Sequence, residues 1–260
     1  MSNLERLMRI MERLRDPQRG CPWDRQQDWS SIAPHTIEEA YELADAIARG
    51  DPDAVRDELG DVLFQVVFQA RIAEERHLFD FDAVAGAIAE KLERRHPHVF
   101  GDAKIGDAEA QTQAWEAHKR AERAARGQGT GVLDGVTLGL PALTRATKLG
   151  SRAAKAGFDW ADAAGVLDKV REEIAELQHE IEAGRPDAAR AELGDVLFSL
   201  AQTARHLGIE PEGALRDANG KFERRFRHVE ALLAREGRRP DEVDMAHLET
   251  LWLLAKRELG

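Results

Sequence analysis

The heptapeptide ELGDVLF occurs twice in this chain, at residues 58–64 and again at residues 192–198. Chance does not place the same seven residues twice in a chain of 260, so a structural or functional unit is repeated. Three other segments recur in the same order: EEAYE with EEIAE, KLERRHPHV with KFERRFRHV, and WEAHKR with WLLAKR. The separation between copies varies by only a few residues, as expected of a duplicated domain with loop changes.

Helical periodicity dominates the chain on both sides of a glycine-rich stretch. The apolar residues within positions 4–14 recur at spacings of three and four, which is typical of one face of a helix. Residues 124–141 contain five glycines and few helix formers, as a linker does. The sequence therefore predicts an all-α protein made of two tandem repeated helical-bundle domains, residues 1–123 and 142–260, joined by residues 124–141.

Composition disfavours several classes of partner. A formal net charge of -11 argues against the phosphate backbone of a nucleic acid. The single cysteine, Cys21, excludes an internal disulfide and suits a reducing compartment. The N-terminus is charged throughout, and no apolar run approaches the roughly 20 residues that a membrane helix needs. We expect a cytoplasmic protein that binds neither nucleic acid nor membrane.

Each half carries two pairs of carboxylates, three residues apart, on either side of a glycine that is followed two residues later by proline. Residues three apart share a helix face, glycine ends helices, and proline suits the first turn of the next helix. If the chain turns at Gly50 and at Gly184, residues equally far before and after each glycine face each other. Four carboxylates should then meet in each half: Glu39, Glu42, Glu58 and Asp61 in the first, and Glu173, Glu176, Glu192 and Asp195 in the second.

Carboxylates packed this closely repel one another unless a cation neutralises them. Oxygen ligands without histidine or cysteine favour Mg²⁺, with Mn²⁺ as a possible substitute. A single pair of helical glutamates has almost no specificity, because most such carboxylates are solvated. The apolar neighbours within ELGDVLF and the repetition favour a divalent-metal site in each half over a solvated surface.

Basic and aromatic residues recur in register with these carboxylates. The recurring pairs, each with members four residues apart, are Lys91 and Arg95, Lys221 and Arg225, Trp115 and Lys119, and Trp252 and Lys256. Basic residues on one helix face suit the binding of an anion already held by the metal. A tryptophan beside a lysine suits a base next to phosphates, although a tryptophan at helical spacing is equally typical of a core.

These segments, in this order, resemble the MazG family of all-α nucleoside triphosphate pyrophosphohydrolases. Its metal-binding signature is matched here by EExxE, a spacer of fifteen residues and ELGDVLF. The segment CPWDRQQ at residues 21–27 is similar to its N-terminal loop. The loop then departs from the family pattern at Asp28-Trp29, and no role is assigned to it. The resemblance implies a homodimer that hydrolyses nucleoside triphosphates to monophosphate and pyrophosphate with Mg²⁺. It makes the eight carboxylates metal ligands and places the nucleotide against the four recurring pairs.

Such hydrolysis needs an activated water and stabilisation of the charge on the departing pyrophosphate. Glu38 and Glu172, adjacent to the ligand sets, are candidates for orienting or deprotonating that water. Pro97 disfavours helical geometry in the residue before it, so the helix that carries Arg95 should end early, while the one that carries Arg225 should continue. We therefore predict that the second half is the better nucleotide site.

Two alternatives stay open. A di-iron carboxylate enzyme needs Glu-x-x-His motifs from two helices. Three pairs have that spacing, and none recurs at the equivalent place in the other half: Glu74 and His77, Glu93 and His96, and Glu176 and His179. The other alternative is a non-catalytic helical nucleotide-binding or dimerisation module, against which the completeness of both carboxylate sets argues.

Overall fold

The computed structural model describes residues 1–101 and 131–260. These residues form α-helices and one 3-10 turn, and no β-strand occurs among them, which confirms the predicted all-α fold. The chain divides into two compact units, Met1–Lys119 and Arg120–Gly260. The predicted border between residues 123 and 124 lies outside the described residues, so the exact domain limits stay a prediction.

The helices of the two units have the following bounds. In the first unit they are α1 (Asn3–Leu14), α2 (Pro22–Gln26), α3 (Trp29–Arg49), α4 (Pro52–Glu75), α5 (Phe81–Arg95) and α6 (Pro97–Phe100). In the second unit they are α7 (Ala142–Lys155), α8 (Ala163–Glu182), α9 (Pro186–His206), α10 (Pro211–Arg235) and α11 (Met245–Leu259), with a 3-10 turn at Pro240–Glu242. Among the described helices, none has the length and apolar character that crossing a bilayer requires.

A helical hairpin forms the centre of each unit, and each turns at the predicted glycine. Gly50 ends α3 with a φ of 68°, and Gly184 follows α8 with a φ of 66°, in the left-handed region that glycine adopts without a Cβ clash. Pro52 and Pro186 then begin α4 and α9, where a missing backbone N–H leaves no helical bond unmade. In α4, the side chain of Asp51 also caps the first turn by accepting hydrogen bonds from two backbone N–H groups.

The core of the first unit lies where α1 and α3 pack against α4. Met11, Ile32, Val67, Phe68 and Ile72 are all buried there. Partly buried side chains cover this cluster from α1, α3, α4 and α5. Burial of these apolar side chains fixes the C-terminal half of α4, whereas ELGDVLF lies in the N-terminal half of α4, nearer to the turn of the hairpin at Gly50.

The second unit brings α7 very close to α9. Gln202 on α9 is fully buried, and its Nε2 donates a hydrogen bond to the carbonyl oxygen of Ala146 at 2.9 Å. A Cβ added at Gly150 would lie 1.7 Å from Oε1 of Gln202, so only glycine allows this approach. The helices α10 and α11 pack through a separate cluster whose buried members include Val229 and Leu233.

The helices that carry the basic pairs differ as predicted. The first, α5, ends at Arg95; His96 follows, and Pro97 begins the short α6. The second, α10, runs unbroken through Arg225 and ends only at Arg235. The prediction of unequal helix continuity is therefore confirmed.

Candidate metal centre

The first hairpin brings three of its four predicted carboxylates together. Oxygen atoms of Glu39 on α3 and of Glu58 and Asp61 on α4 all lie within 4.8 Å of one another. Glu39 and Glu58 are partly buried, and Asp61 is exposed. Glu42, one turn after Glu39, is exposed and is not a member of this set. The antiparallel pairing of α3 with α4 brings these carboxylates of the two helices together.

The electrostatics of this set favour a bound cation. Burial raises the pKa of Glu39, and the negative charges of Asp61, Glu42 and Glu58 raise it further, with a smaller contribution from Glu38. These neighbours destabilise the charged form, and a divalent cation would reverse that effect. Three carboxylates on two helices suit a hard cation such as Mg²⁺.

The second hairpin also brings three carboxylates together, but a different three. Glu173 and Glu176 on α8 and Glu192 on α9 have oxygen atoms within 4.8 Å of one another. Glu173 is buried, Glu192 is partly buried and Glu176 is exposed. Asp195 is exposed and lies outside this set. The pKa of Glu176 is raised by lost solvation and by the charge of Glu173 and their shared hydrogen bond.

A lysine lies in contact with the second set. The ammonium of Lys169 is 2.7 Å from Oε1 of Glu172 and 2.8 Å from Oε1 of Glu173. The hydrogen bonds to both carboxylates raise the pKa of Lys169. Sequence analysis did not assign a role to Lys169, although its spacing of three and four residues from these glutamates is the usual one for helical ion pairs. The equivalent residue in the first half is His35, whose Nδ1 lies 3.4 Å from Oε2 of Glu38.

Both candidates for activating the water therefore have a basic neighbour one turn earlier on their helix. Glu38 is exposed and faces the ring of His35. Glu172 is exposed and accepts a hydrogen bond from the ammonium of Lys169. A carboxylate held by a lysine has less freedom to accept a proton from water, so the two halves differ at this position.

The basic and aromatic pairs are only partly described. Trp115 and Lys119 lie outside the described residues. Lys91 and Arg95 are partly buried on α5, and Arg95 is the last residue of that helix. On α10, Lys221 is exposed, a position from which its ammonium remains available to an anion.

In the second unit, Arg225 contacts Gly260, the residue that follows α11. Its Nη2 donates a hydrogen bond to the carbonyl oxygen of Gly260 at 2.8 Å, which ties α10 to the end of α11. Within residues 131–260, neither Lys221 nor Arg225 forms an ion pair with the carboxylates of α8 and α9. The structure thus assembles the acidic set and leaves the basic residues of α10 outside direct contact with it.

Trp252 takes part in packing. It is partly buried against the apolar cluster between α10 and α11, and its ring centroid lies 5.2 Å from that of Phe222. The ammonium of Lys256 lies 6.0 Å from the centroid of the same tryptophan ring. Trp252 therefore contributes to the core, as one of the two interpretations of the sequence predicted. The ammonium of Lys256 lies near its ring.

The fold and the two sets define an all-α protein with a carboxylate cluster suited to a hard divalent cation in each of two helical hairpins. The family model of the MazG nucleotide pyrophosphohydrolase domain matches residues 27–100 and residues 162–230, which contain both clusters. The chain belongs to this family, as its sequence motifs indicated.

Two named relatives match this chain over nearly its full length. The chain is 48% identical over 260 residues to the nucleoside triphosphate pyrophosphohydrolase of Escherichia coli strain K12, covering 99% of this chain and 98% of that protein. It is 42% identical over 252 residues to the nucleoside triphosphate pyrophosphohydrolase/pyrophosphatase MazG of Thermotoga maritima, covering 97% and 95%. A crystal structure of a mazG-related protein from T. maritima is 28% identical over 45% of this chain and 98% of its own, with a TM-score of 0.38.

Proposed function

We propose that this chain hydrolyses nucleoside triphosphates to the monophosphate and pyrophosphate, using a divalent cation held by the carboxylates of each hairpin. The observation that carries the proposal is a carboxylate cluster in each of two equivalent hairpins, in a chain that matches pyrophosphohydrolases over nearly its full length. The enzyme is a hydrolase that acts on an acid anhydride. Mg²⁺ is the proposed cation, with Mn²⁺ as a substitute.

The proposed ligands in each half are the three clustered carboxylates and the fourth one on the same hairpin. Glu42 is close enough for its charge to raise the pKa of Glu39, which supports its inclusion. Asp195 lies three residues after Glu192 on α9 and shares its face. The bound cation would polarise a water molecule and neutralise phosphate charge.

The chain's own residues carry the other parts of the reaction. Lys221, Arg225 and Lys256 are proposed to neutralise the charge that develops on pyrophosphate as the bond from the α-phosphorus breaks. Trp252 presents the unburied part of its ring to a base. Their equivalents in the first half are Lys91, Arg95, Trp115 and Lys119. Glu172 and Glu38 are proposed to orient or deprotonate the attacking water, so that its proton passes to a carboxylate oxygen.

Exposed leucines of the repeated heptapeptide support the proposal of a homodimer. Leu59 is 51% exposed and Leu193, its equivalent, is 48% exposed. Leu63 and Leu197, one turn later, are exposed as well. Single exposed leucines are common on protein surfaces, but an apolar stripe that recurs on both hairpins is typical of an interaction surface. A second copy of the chain would cover it. The nucleotide substrates and the second copy are the proposed partners.

Product analysis tests the reaction. The purified protein, incubated with Mg²⁺ and each triphosphate separately, should yield monophosphate and pyrophosphate by anion-exchange chromatography. Diphosphate and inorganic phosphate as products would overturn attack at the α-phosphate. Binding of the triphosphate without any product would instead favour the non-catalytic module. An iron assay and a visible absorption spectrum on the same preparation test the di-iron alternative, which predicts bound iron.

A further inference from the structure

The two acidic clusters differ in one charged neighbour. Lys169 of α8 places its ammonium against Glu172 and Glu173 in the second hairpin. The equivalent residue of the first hairpin, His35, approaches only Glu38, at 3.4 Å. Among residues 1–101 and 131–260, no lysine or arginine forms an ion pair with the clustered carboxylates of the first hairpin.

Lys169 is held where it contacts the cluster. Its helix neighbours Val166 and Val170 are buried. Their packing prevents α8 from rotating about its own axis, so the helix cannot turn Lys169 away from the cluster. The side chain of Lys169 is 34% exposed, while that of its partner Glu173 is only 8% exposed. The ammonium is thus the positive charge that balances a buried carboxylate in this structure.

The ion pair is nevertheless one that a stronger cation can replace. A lysine that precedes its glutamate by four residues has the less favourable orientation on a helix, because it opposes the helix dipole. A divalent ion carries twice the charge of an ammonium and binds several carboxylate oxygens at once. Its entry at Glu173 requires the ammonium to leave, and this displacement subtracts from the binding free energy of the ion.

We propose that Lys169 is an internal counterion of the second cluster, so that the two clusters bind a free divalent cation with different affinities. The first cluster, with which no lysine or arginine of residues 1–101 and 131–260 forms an ion pair, binds the ion more tightly, and the second binds it in exchange for Lys169. The inference rests on the proposed function in one respect, because it takes these carboxylates as the ligands of the cation.

Direct Mn²⁺ binding, without nucleotide, tests the proposal. Isothermal titration of Glu192→Gln reports the first cluster, titration of Glu58→Gln reports the second, and the double variant gives the background. We expect Mn²⁺ to bind the first cluster about tenfold more tightly than the second, the size of effect that one displaced ion pair produces. Circular dichroism and thermal unfolding verify that each variant is folded.

Two exchanges at the lysine position make the test specific. In the Glu58→Gln background, Lys169→Met should tighten Mn²⁺ binding about tenfold, since no ammonium has to leave. In the Glu192→Gln background, His35→Lys should weaken binding to the first cluster. Lys148→Met removes an exposed positive charge from α7 and should leave both affinities unchanged.

Equal affinities of the two clusters, or no effect of Lys169→Met, would overturn the proposal. Pyrophosphate production by the unmodified protein would then still support the proposed function, since that assay is independent of the difference between clusters. If Mn²⁺ bound to neither cluster, the carboxylates would not be ligands, and both the counterion and the proposed metal sites would be wrong.

Discussion

Arg15 and Glu75 form a two-point ion pair that joins the end of α1 to the end of α4. Nε of Arg15 lies 3.0 Å from Oε1 of Glu75, and Nη2 lies 2.7 Å from Oε2. The third nitrogen, Nη1, donates to the backbone carbonyl oxygens of Asp24 and Gln27. Because Arg15 is only 8% exposed, this one guanidinium fixes the loop that contains CPWDRQQ to the helical core.

Removal of this guanidinium should destabilise the first unit. Arg15→Met leaves the carboxylate of Glu75 with its remaining partner Arg71 and removes the side-chain donor to the carbonyl groups of Asp24 and Gln27. We expect a loss of about 2 kcal/mol in the free energy of unfolding. Urea denaturation followed by circular dichroism measures it. Arg13→Met, at an exposed position of the same helix, is the matched control. Equal small losses in both variants would contradict the role of Arg15.

Acid should weaken the second unit through Asp159. Hydrogen bonds from Arg205, with smaller contributions from His206, lower the pKa of Asp159 to about 2, below its ordinary value of 3.8. A lowered pKa in the folded state gives stability that is present above pH 4 and is lost as the pH falls towards 2. We expect this loss to be about 1 kcal/mol, since solvent screens the partly exposed group.

The comparison of unfolding free energies with those of Asp159→Asn isolates the effect. The difference between the two proteins should be constant from pH 5 to pH 7 and should shrink as the pH falls from about 4 to 2. A difference that does not change over this range would show that the carboxylate has the same pKa in the folded and unfolded chain.

A methyl group at Gly150 should disrupt the contact between α7 and α9. Gly150→Ala would place its Cβ 1.7 Å from Oε1 of Gln202, which is buried and already hydrogen-bonded. We expect a loss of about 2 kcal/mol in stability. Gly220→Ala, in the interior of α10, meets only the end of Arg224 at 3.5 Å and should raise stability by up to about 1 kcal/mol. Thermal unfolding ranks the two variants, and the reverse order would contradict the packing.

Turnover should depend more on the second hairpin than on the first. Glu192→Gln and Glu58→Gln each remove one carboxylate charge at equivalent positions. Because α10 continues beyond Arg225 while α5 ends at Arg95, the second half holds its guanidinium in a more rigid helix. We expect Glu192→Gln to abolish most pyrophosphate release at saturating Mg²⁺ and Glu58→Gln to retain more. A larger loss in Glu58→Gln would refute the argument from helix continuity.

Self-association should depend on the leucines of the repeated heptapeptide. Leu63→Asp or Leu197→Asp places a charge in the exposed apolar stripe and should shift a dimer towards the monomer in sedimentation velocity. Leu253→Asp, at an exposed position of α11 outside the stripe, serves as the control. An unchanged sedimentation coefficient in all three variants would place any dimer interface elsewhere.

Much of the fold and part of the site could be predicted from the sequence because the signals are local. Gly50 and Gly184 end their helices where the repeat predicts, since a left-handed residue is most easily supplied by glycine. Carboxylates three residues apart then share one face of their helix, and the hairpin turns these faces of the two helices towards each other. Pro97 likewise ends the helix of Arg95 through the geometry of its own ring.

The tertiary structure alone decided which carboxylates meet. Spacing determines a helix face, but it does not determine which side chains on that face converge: Asp61 joins the first cluster, while its equivalent Asp195 does not join the second. Lys169 pairs with Glu172 and Glu173 at local helical spacings, but the burial of Glu173 was decided by the packing of the helices. The ion pair of Arg15 with Glu75 joins residues on different helices, and no local pattern encodes a contact that exists only after those helices have packed.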